Sequence, residues 1–222
     1  MSELNPAAIF IALVVLAFSL SFHEMAHAWT AYRLGDPTAY QQGRVSMNPA
    51  VHVDPIGTIL FPLISMIASA AGGSLPLIGW AKPVPFVVRN LSRPRRDVIL
   101  IALAGPASNI LLAALVAVAI RVALAGNWIP VDESGQPGAV WEFLRTALGT
   151  NLGLAVFNLV PVPPLDGGKV LSNLLPLRSG LVFDEMAGKY GFIILYALML
   201  TGVLSYVMRP SINFLAFLLL SW

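Results

Sequence analysis

Cysteine is absent from this 222-residue chain, which excludes disulfides and thiolate metal sites. Any firmly held metal must therefore rely on histidine and carboxylates. Histidine is scarce as well, with three in all, so the position of each one is informative. Charge is too sparse for a water-soluble globule: Asp, Glu, Lys and Arg make up 11% of the residues and hydrophobic types 57%. A polytopic membrane protein follows. The formal charge of +2 is too small to suggest nucleic acid as a partner. The basic residues gather in one loop, 89–97, where they act as a topology signal. No basic region precedes the first apolar run, which argues against a cleaved signal peptide. Internal repeats and low-complexity tracts are also lacking.

What is present is a set of apolar runs. At about 20 residues per span, there is room for one membrane domain of about four to six spans with short loops. Residues 1–222 are expected to form one membrane-embedded domain, with a core over 6–170, C-terminal helices over 171–222 and no separate soluble domain. The first span runs from Asn5 to about Leu34, between an Asn-Pro entry and Gly35-Asp36-Pro37. Residues 35–55 are rich in turn formers and read as an ordered loop. The stretch 56–79, interrupted by Pro62, reads as a short span or a re-entrant hairpin. Residues 79–88 carry Pro83 and Pro85 and read as extended chain.

Further spans are expected at 98–124 and 139–159. Residues 161–168 hold three prolines and two glycines and must break the helix. Residues 169–189 predict a short interfacial helix and 190–207 a further span. Arg209-Pro210 then precedes a run too short to cross. The positive-inside tendency places 89–97 in the cytoplasm, 126–138 outside and the N-terminus outside. Residues 56–79 must then enter and leave by one face. The expected setting is a multi-pass protein of a prokaryotic cell membrane, with its site toward the cytoplasmic side.

Inside the first span lies His23-Glu24-Met25-Ala26-His27. Histidines four apart share one face of a helix, so both imidazoles can reach one tetrahedral zinc, and Glu24 can sit beside the metal's water as general base. Ionisable groups buried in a bilayer are costly, so such a set without a metal or a wet cavity would be hard to justify. A catalytic zinc needs a third protein ligand and one open position. Asp166, which follows a span through the Pro/Gly break, is the best candidate. Read alone, Leu165-Asp166-Gly167-Gly168 is only a turn. Together with the zinc motif, a second carboxylate at membrane depth implies a cation, and Zn²⁺ with ionised Asp166 and Glu24 sums to zero charge. Asn109, within the second span, is either interhelical glue or a substrate clamp. His52 is either a loop histidine bonded to backbone or a group near the metal that stabilises an oxyanion.

His23-Glu24-x-x-His27, Gly105-Pro106 with Asn109, and Asn158-x-x-Pro161-x-Pro163-x-x-Asp166-Gly167-Gly168 together resemble the site-two protease family of intramembrane zinc metalloproteases. The resemblance covers about residues 6–170 in the same order. It implies an all-α polytopic fold with a core of about three spans around a zinc site, and hydrolysis of transmembrane or membrane-proximal protein substrates in contact with lipid. It also implies His23, His27 and Asp166 as zinc ligands, Glu24 as base and Asn158 as a substrate or oxyanion contact. Larger members carry a PDZ-like domain and a helix before the zinc motif, and this sequence shows neither. A metal-ion transporter would explain buried His and Asp but not Glu24 beside His23, and transport folds usually show repeats. An inactive relative that only binds membrane proteins fits less well with all four residues in place. Substrate is expected to bind extended, and the edge of a short strand at 81–87 that carries the N–H groups of Lys82, Val84 and Phe86 is expected to pair with it, or with a strand that in turn does so.

Overall fold

The computed structural model describes residues 5–71, 79–128 and 138–221. Its described residues form eight α-helices, in keeping with the all-α expectation. Helix α1 (Pro6–Arg33) starts where Asn5 caps it, with Asn5 Oδ1 accepting from the N–H groups of Ala7 and Ala8 at 3.0 and 3.3 Å. Its buried residues include Val15, Ser19, His23, His27 and Ala31, one every four positions, so the histidines lie on the face turned into the protein.

Past α1 the chain turns at Gly35, whose φ of +107° suits glycine, and reaches Asp36, which is fully buried. Burial alone would raise this carboxyl's pKa. Hydrogen bonds from the Thr38 hydroxyl, Asn90 Nδ2 and the N–H groups of Val87 and Thr38 outweigh burial and hold it below the ordinary carboxylate range. Asp36 thus ties the end of α1 to residues 87–90, just before α4 begins. The short helix α2 (Thr38–Gln41) and a tight turn at Pro49–Val51 are the regular parts of the predicted loop.

Residues 56–79 leave and return at one place. A wide turn at Pro55–Leu60, capped by the Asp54 carboxylate, leads into α3 (Phe61–Ala70). The chain comes back at Gly79, where the Trp80 N–H donates to Gly57 O at 3.1 Å and the Thr58 hydroxyl donates to Trp80 O at 2.7 Å. A side chain at Gly57 would collide with the Trp80 indole, so glycine is required for this closure. The tip of the predicted hairpin, 72–78, lies outside the described residues. Where a short strand was expected, the backbone makes one isolated antiparallel bridge, Val53 with Ala81.

Helix α4 (Pro94–Ala125) begins earlier than the predicted 98. Pro94 suits a first turn, and the Asp97 carboxylate reaches back to accept from the Arg93 N–H at 2.8 Å, so much of the basic loop is helical. Helix α5 (Ala139–Leu159) matches expectation. Most of the polar loop predicted before it, 129–137, lies outside the described residues.

The C-terminal third departs from the sequence reading. Helix α6 (Asp166–Leu174) starts at Asp166 itself and ends at Leu175-Pro176. The expected interfacial helix at 169–189 is therefore divided between α6 and the first half of α7 (Leu177–Leu200). No span runs across 190–207. The break falls at Thr201-Gly202, where Gly202 takes φ +74°, and α8 (Val203–Leu220) continues through Pro210. Proline removes one backbone hydrogen bond, whereas a left-handed glycine ends the helix outright.

Helices α1, α4 and α5 pack against one another through small buried residues, among them Ala28, Ala113, Ala117 and Ala155, which let the backbones approach closely. Among the described helices α1, α4 and α8 are long and apolar enough to cross a membrane. At 18 residues α8 is about 27 Å long, close to the hydrocarbon thickness, so the run judged too short extends to a full span. Large apolar side chains point outward, including Phe10, Leu111, Tyr206 and Phe217, as befits lipid contact. The protein is a membrane protein.

Candidate active site

The buried stripe of α1 faces the middle of α4, and there His23 and His27 meet Asp166. His23 Nε2 and His27 Nε2 each lie 3.1 Å from Asp166 Oδ2. The two rings stand edge to face with centroids 4.6 Å apart. All three side chains are buried.

Asp166 arrives there because of the backbone that follows α5. Prolines at 161, 163 and 164 end α5, and α6 begins at Asp166. Gly167 and Gly168 allow the first turn of α6 to lie directly on the 159–163 backbone, since a Cβ at Gly168 would sit 2.9 Å from Pro163 N. The glycines thus serve packing, and the packing aims the aspartate. Lys169, one turn on, holds the other oxygen, Oδ1, at 3.0 Å and leaves Oδ2 for the histidines.

The hydrogen bonds behind the histidines set their tautomers. His23 Nδ1 lies 2.7 Å from Asn109 Oδ1, and His27 Nδ1 lies 2.7 Å from Ile101 O. Both partners are acceptors, so each Nδ1 carries the hydrogen, and a ring that is neutral turns its Nε2 lone pair inward. Three acceptor atoms then converge within 4.8 Å of one another, an arrangement that calls for a cation. Two imidazoles and one carboxylate, without sulfur, suit zinc with one position left open. Gly105 of α4 supplies the room. A Cβ there would sit 2.6 Å from His23 Nε2, in the space between the donor atoms, so the small residue serves the site as well as helix packing.

Glu24 is half-buried, outside the metal-capable group, and accepts from the Val84 N–H through Oε2 at 3.2 Å. Glu24 and Asn158 line the same cavity as His23, His27 and Asp166, with a volume of about 1110 Å³ between α1, α3, residues 79–86, α5, α7 and α8. Asn158 Nδ2 donates to Leu154 O at 3.0 Å. Asn109 is fully buried behind His23 and does not line this cavity. His52 is not brought to this group or to the cavity wall. Its Nε2 donates to Ser46 O at 2.8 Å, as a loop histidine bonded to backbone, and burial first, then the Arg44 charge, lower its pKa against the opposing pull of that hydrogen bond and Glu24.

Along the expected substrate edge, the Lys82 N–H donates to His52 O at 2.8 Å beside the Val53–Ala81 bridge, and the Val84 N–H donates to Glu24 on the cavity wall. The Arg44 guanidinium further clamps this segment, donating to the carbonyls of Val51, Lys82 and Pro83. Sequence reasoning missed three contributors: Lys169, and Asn151 with Ser19, where Asn151 Oδ1 accepts from Asn109 Nδ2 at 2.9 Å and Asn151 Nδ2 donates to Ser19 Oγ at 3.0 Å; it named the Val84 N–H only as a substrate contact. Lys169 stands three residues from Asp166 in a helix, and Asn151 stands two turns before Asn158; both spacings were legible signals.

Comparison with known proteins bears on this geometry. The sequence profile of Peptidase family M50 matches residues 128–202. The chain is 36% identical over 203 residues to "Putative zinc metalloprotease YwhC" of Bacillus subtilis, covering 90% of this chain and 85% of that protein. It is 32% identical over 190 residues to "Putative zinc metalloprotease Rip2" of Mycolicibacterium smegmatis, covering 84% of this chain and 65% of that protein. A solved structure, "Site-2 Protease from Methanocaldococcus jannaschii", aligns with 98% of this chain and 78% of its own at 20% identity and a TM-score of 0.44. By its extended similarity to the Bacillus protein, together with the family profile, this chain belongs to peptidase family M50, the site-2 protease family of membrane zinc metalloproteases.

Proposed function

We propose that this protein hydrolyses peptide bonds of transmembrane or membrane-proximal protein substrates, with His23, His27 and Asp166 as the zinc ligands and Glu24 as the general base. One observation carries the reading: three inward-facing acceptor atoms share a cavity wall with a carboxylate that is not one of them. Bound zinc would polarise the scissile carbonyl and lower the pKa of a water toward about 7. Glu24 Oε2 takes the proton from the attacking water and passes it to the leaving nitrogen. The Val84 N–H keeps that oxygen aimed into the cavity until substrate arrives. Asn158, on the wall, orients the substrate or steadies the oxyanion. Gly149 and Gly153 of α5 line the cavity, and a Cβ on either would meet nothing within 4 Å, so this stretch of the wall is open.

The site opens toward the cytoplasm of a prokaryotic cell in this reading. Asp36 joins the end of α1 to the start of α4, so both lie at one end of the bundle with the basic residues 89–96, and α3 re-enters from that end. The chain works as one membrane-embedded unit, with α7 and α8 packed on the core through Leu165, Leu195 and Leu204.

The test is metal removal. Purified protein in detergent, given a peptide that spans a membrane as a helix, should lose cleavage on chelation and recover it with zinc. Weakening the substrate helix with Gly or Pro near the cut should speed cleavage, because a helix hides its own peptide bonds. Cleavage indifferent to chelation, or zinc flux into liposomes without cleavage, would count against the protease reading.

A further inference from the structure

We propose that Asn109 and Asn151 form a positioning relay that fixes the tautomer of His23 and thereby sets how tightly the site holds zinc. This inference rests on the zinc-ligand reading above. A carboxamide can face a histidine with its oxygen or with its NH₂, and only the oxygen keeps the hydrogen on Nδ1 and the lone pair on Nε2. What selects the oxygen lies on the far side of Asn109. Its Nδ2 donates to Ser19 O at 3.3 Å and to Asn151 Oδ1 at 2.9 Å, so a flipped amide would turn its oxygen toward two acceptors.

Asn151 is oriented in the same manner. Its Nδ2 donates to the Ala147 carbonyl at 2.9 Å and to Ser19 Oγ at 3.0 Å, which leaves Oδ1 free to accept from Asn109. The Ala147 and Ser19 carbonyls are backbone groups and cannot flip. Orientation therefore passes from fixed carbonyls on α5 and α1, through Asn151 and Asn109, to the ring of His23. Ser19, Asn109 and Asn151 are all buried, so water does not compete for these bonds. His27 needs no relay, because its Nδ1 meets the Ile101 carbonyl directly. The two histidines thus differ: backbone fixes one, and two reorientable side chains fix the other.

The difference supplies an internal control. The chain has three histidines, so ¹⁵N-histidine labelling of the full-length metal-free protein in micelles gives few signals. Wild-type His23 and His27 should both carry hydrogen on Nδ1, whether or not Asp166 Oδ2, 3.1 Å from each Nε2, also draws a proton there in the metal-free protein. Asn109→Leu and Asn151→Leu should each lower the Nδ1–H population of His23 while that of His27 stays unchanged. Zinc affinity, measured by chelator competition, should fall about 10–100-fold in Asn109→Leu and less in Asn151→Leu. Asn109→Asp keeps an acceptor facing His23 and should retain the Nδ1–H tautomer and bind zinc more tightly than Asn109→Leu. Should Asn109→Leu fail to fold, Asn151→Leu, which does not touch His23, gives the same reading. A wild-type tautomer and affinity in both Leu variants would overturn the relay alone. Wild-type zinc affinity in His23→Ala would overturn the ligand reading and the relay with it.

Discussion

Glu24→Gln is expected to retain about one zinc per chain while peptide hydrolysis falls by roughly 10²–10⁴-fold. Glutamine has nearly the same shape, and its amide oxygen can still accept from the Val84 N–H, so the cavity wall stays as it is. It cannot take a proton from water at neutral pH. Glu24 also stands apart from the three converging acceptors, so no metal donor is lost. Metal content by atomic emission and cleavage of a helical peptide, measured on one preparation, separate these effects. Zinc lost together with activity would mean that Glu24 is a ligand and that the base lies elsewhere.

Asp166→Ala should behave differently, with zinc and activity falling together. Its Oδ2 is the atom that both Nε2 groups approach, and its removal leaves two imidazoles to hold a site that needs three protein donors. It also leaves the Lys169 ammonium, now paired with Oδ1, beside the site with no counter-charge, which further disfavours a bound cation. Asp166→Asn refines the result. It keeps an oxygen of similar reach but no charge, so zinc affinity should lie between those of wild type and the alanine variant. Full zinc affinity in Asp166→Ala would transfer the third-ligand role to another carboxylate of the cavity. Glu24 would then be the first candidate, since His52 is held in its loop by Ser46.

Much of the site was legible because helix periodicity is short-range physics. His23 and His27 had to share a face once α1 was recognised, and the prolines and glycines of 161–168 marked an interruption that could bring a carboxylate inward. The partners of these residues were less visible. Alternation along 81–87 showed which N–H groups share a side, yet that those of Val84 and Lys82 meet Glu24 and His52 depends on contacts across 60 and 30 positions of chain. Asn151 was visible as a polar residue in a span, but its acceptors lie on α1 and α5 together, and no local pattern pairs them.

The fold shows the same division. Asn5, Pro94 and Gly138 mark helix starts that local rules predict or readily explain, and α1 and α5 match expectation closely. The C-terminal helices did not match, because Pro210 looked like the stronger breaker. Proline inside a helix costs one hydrogen bond and some bending, and α8 absorbs both. Gly202, in a left-handed conformation, ends α7 instead.

The most direct measurement is an anomalous-difference map recorded at the zinc absorption edge from crystals of the full chain grown with zinc. One strong peak is predicted within about 2.0–2.2 Å of His23 Nε2, His27 Nε2 and an Asp166 carboxylate oxygen, with Glu24 outside bonding distance. A zinc peak away from these three residues, or one bonded by Glu24 in place of Asp166, would contradict the proposed active site.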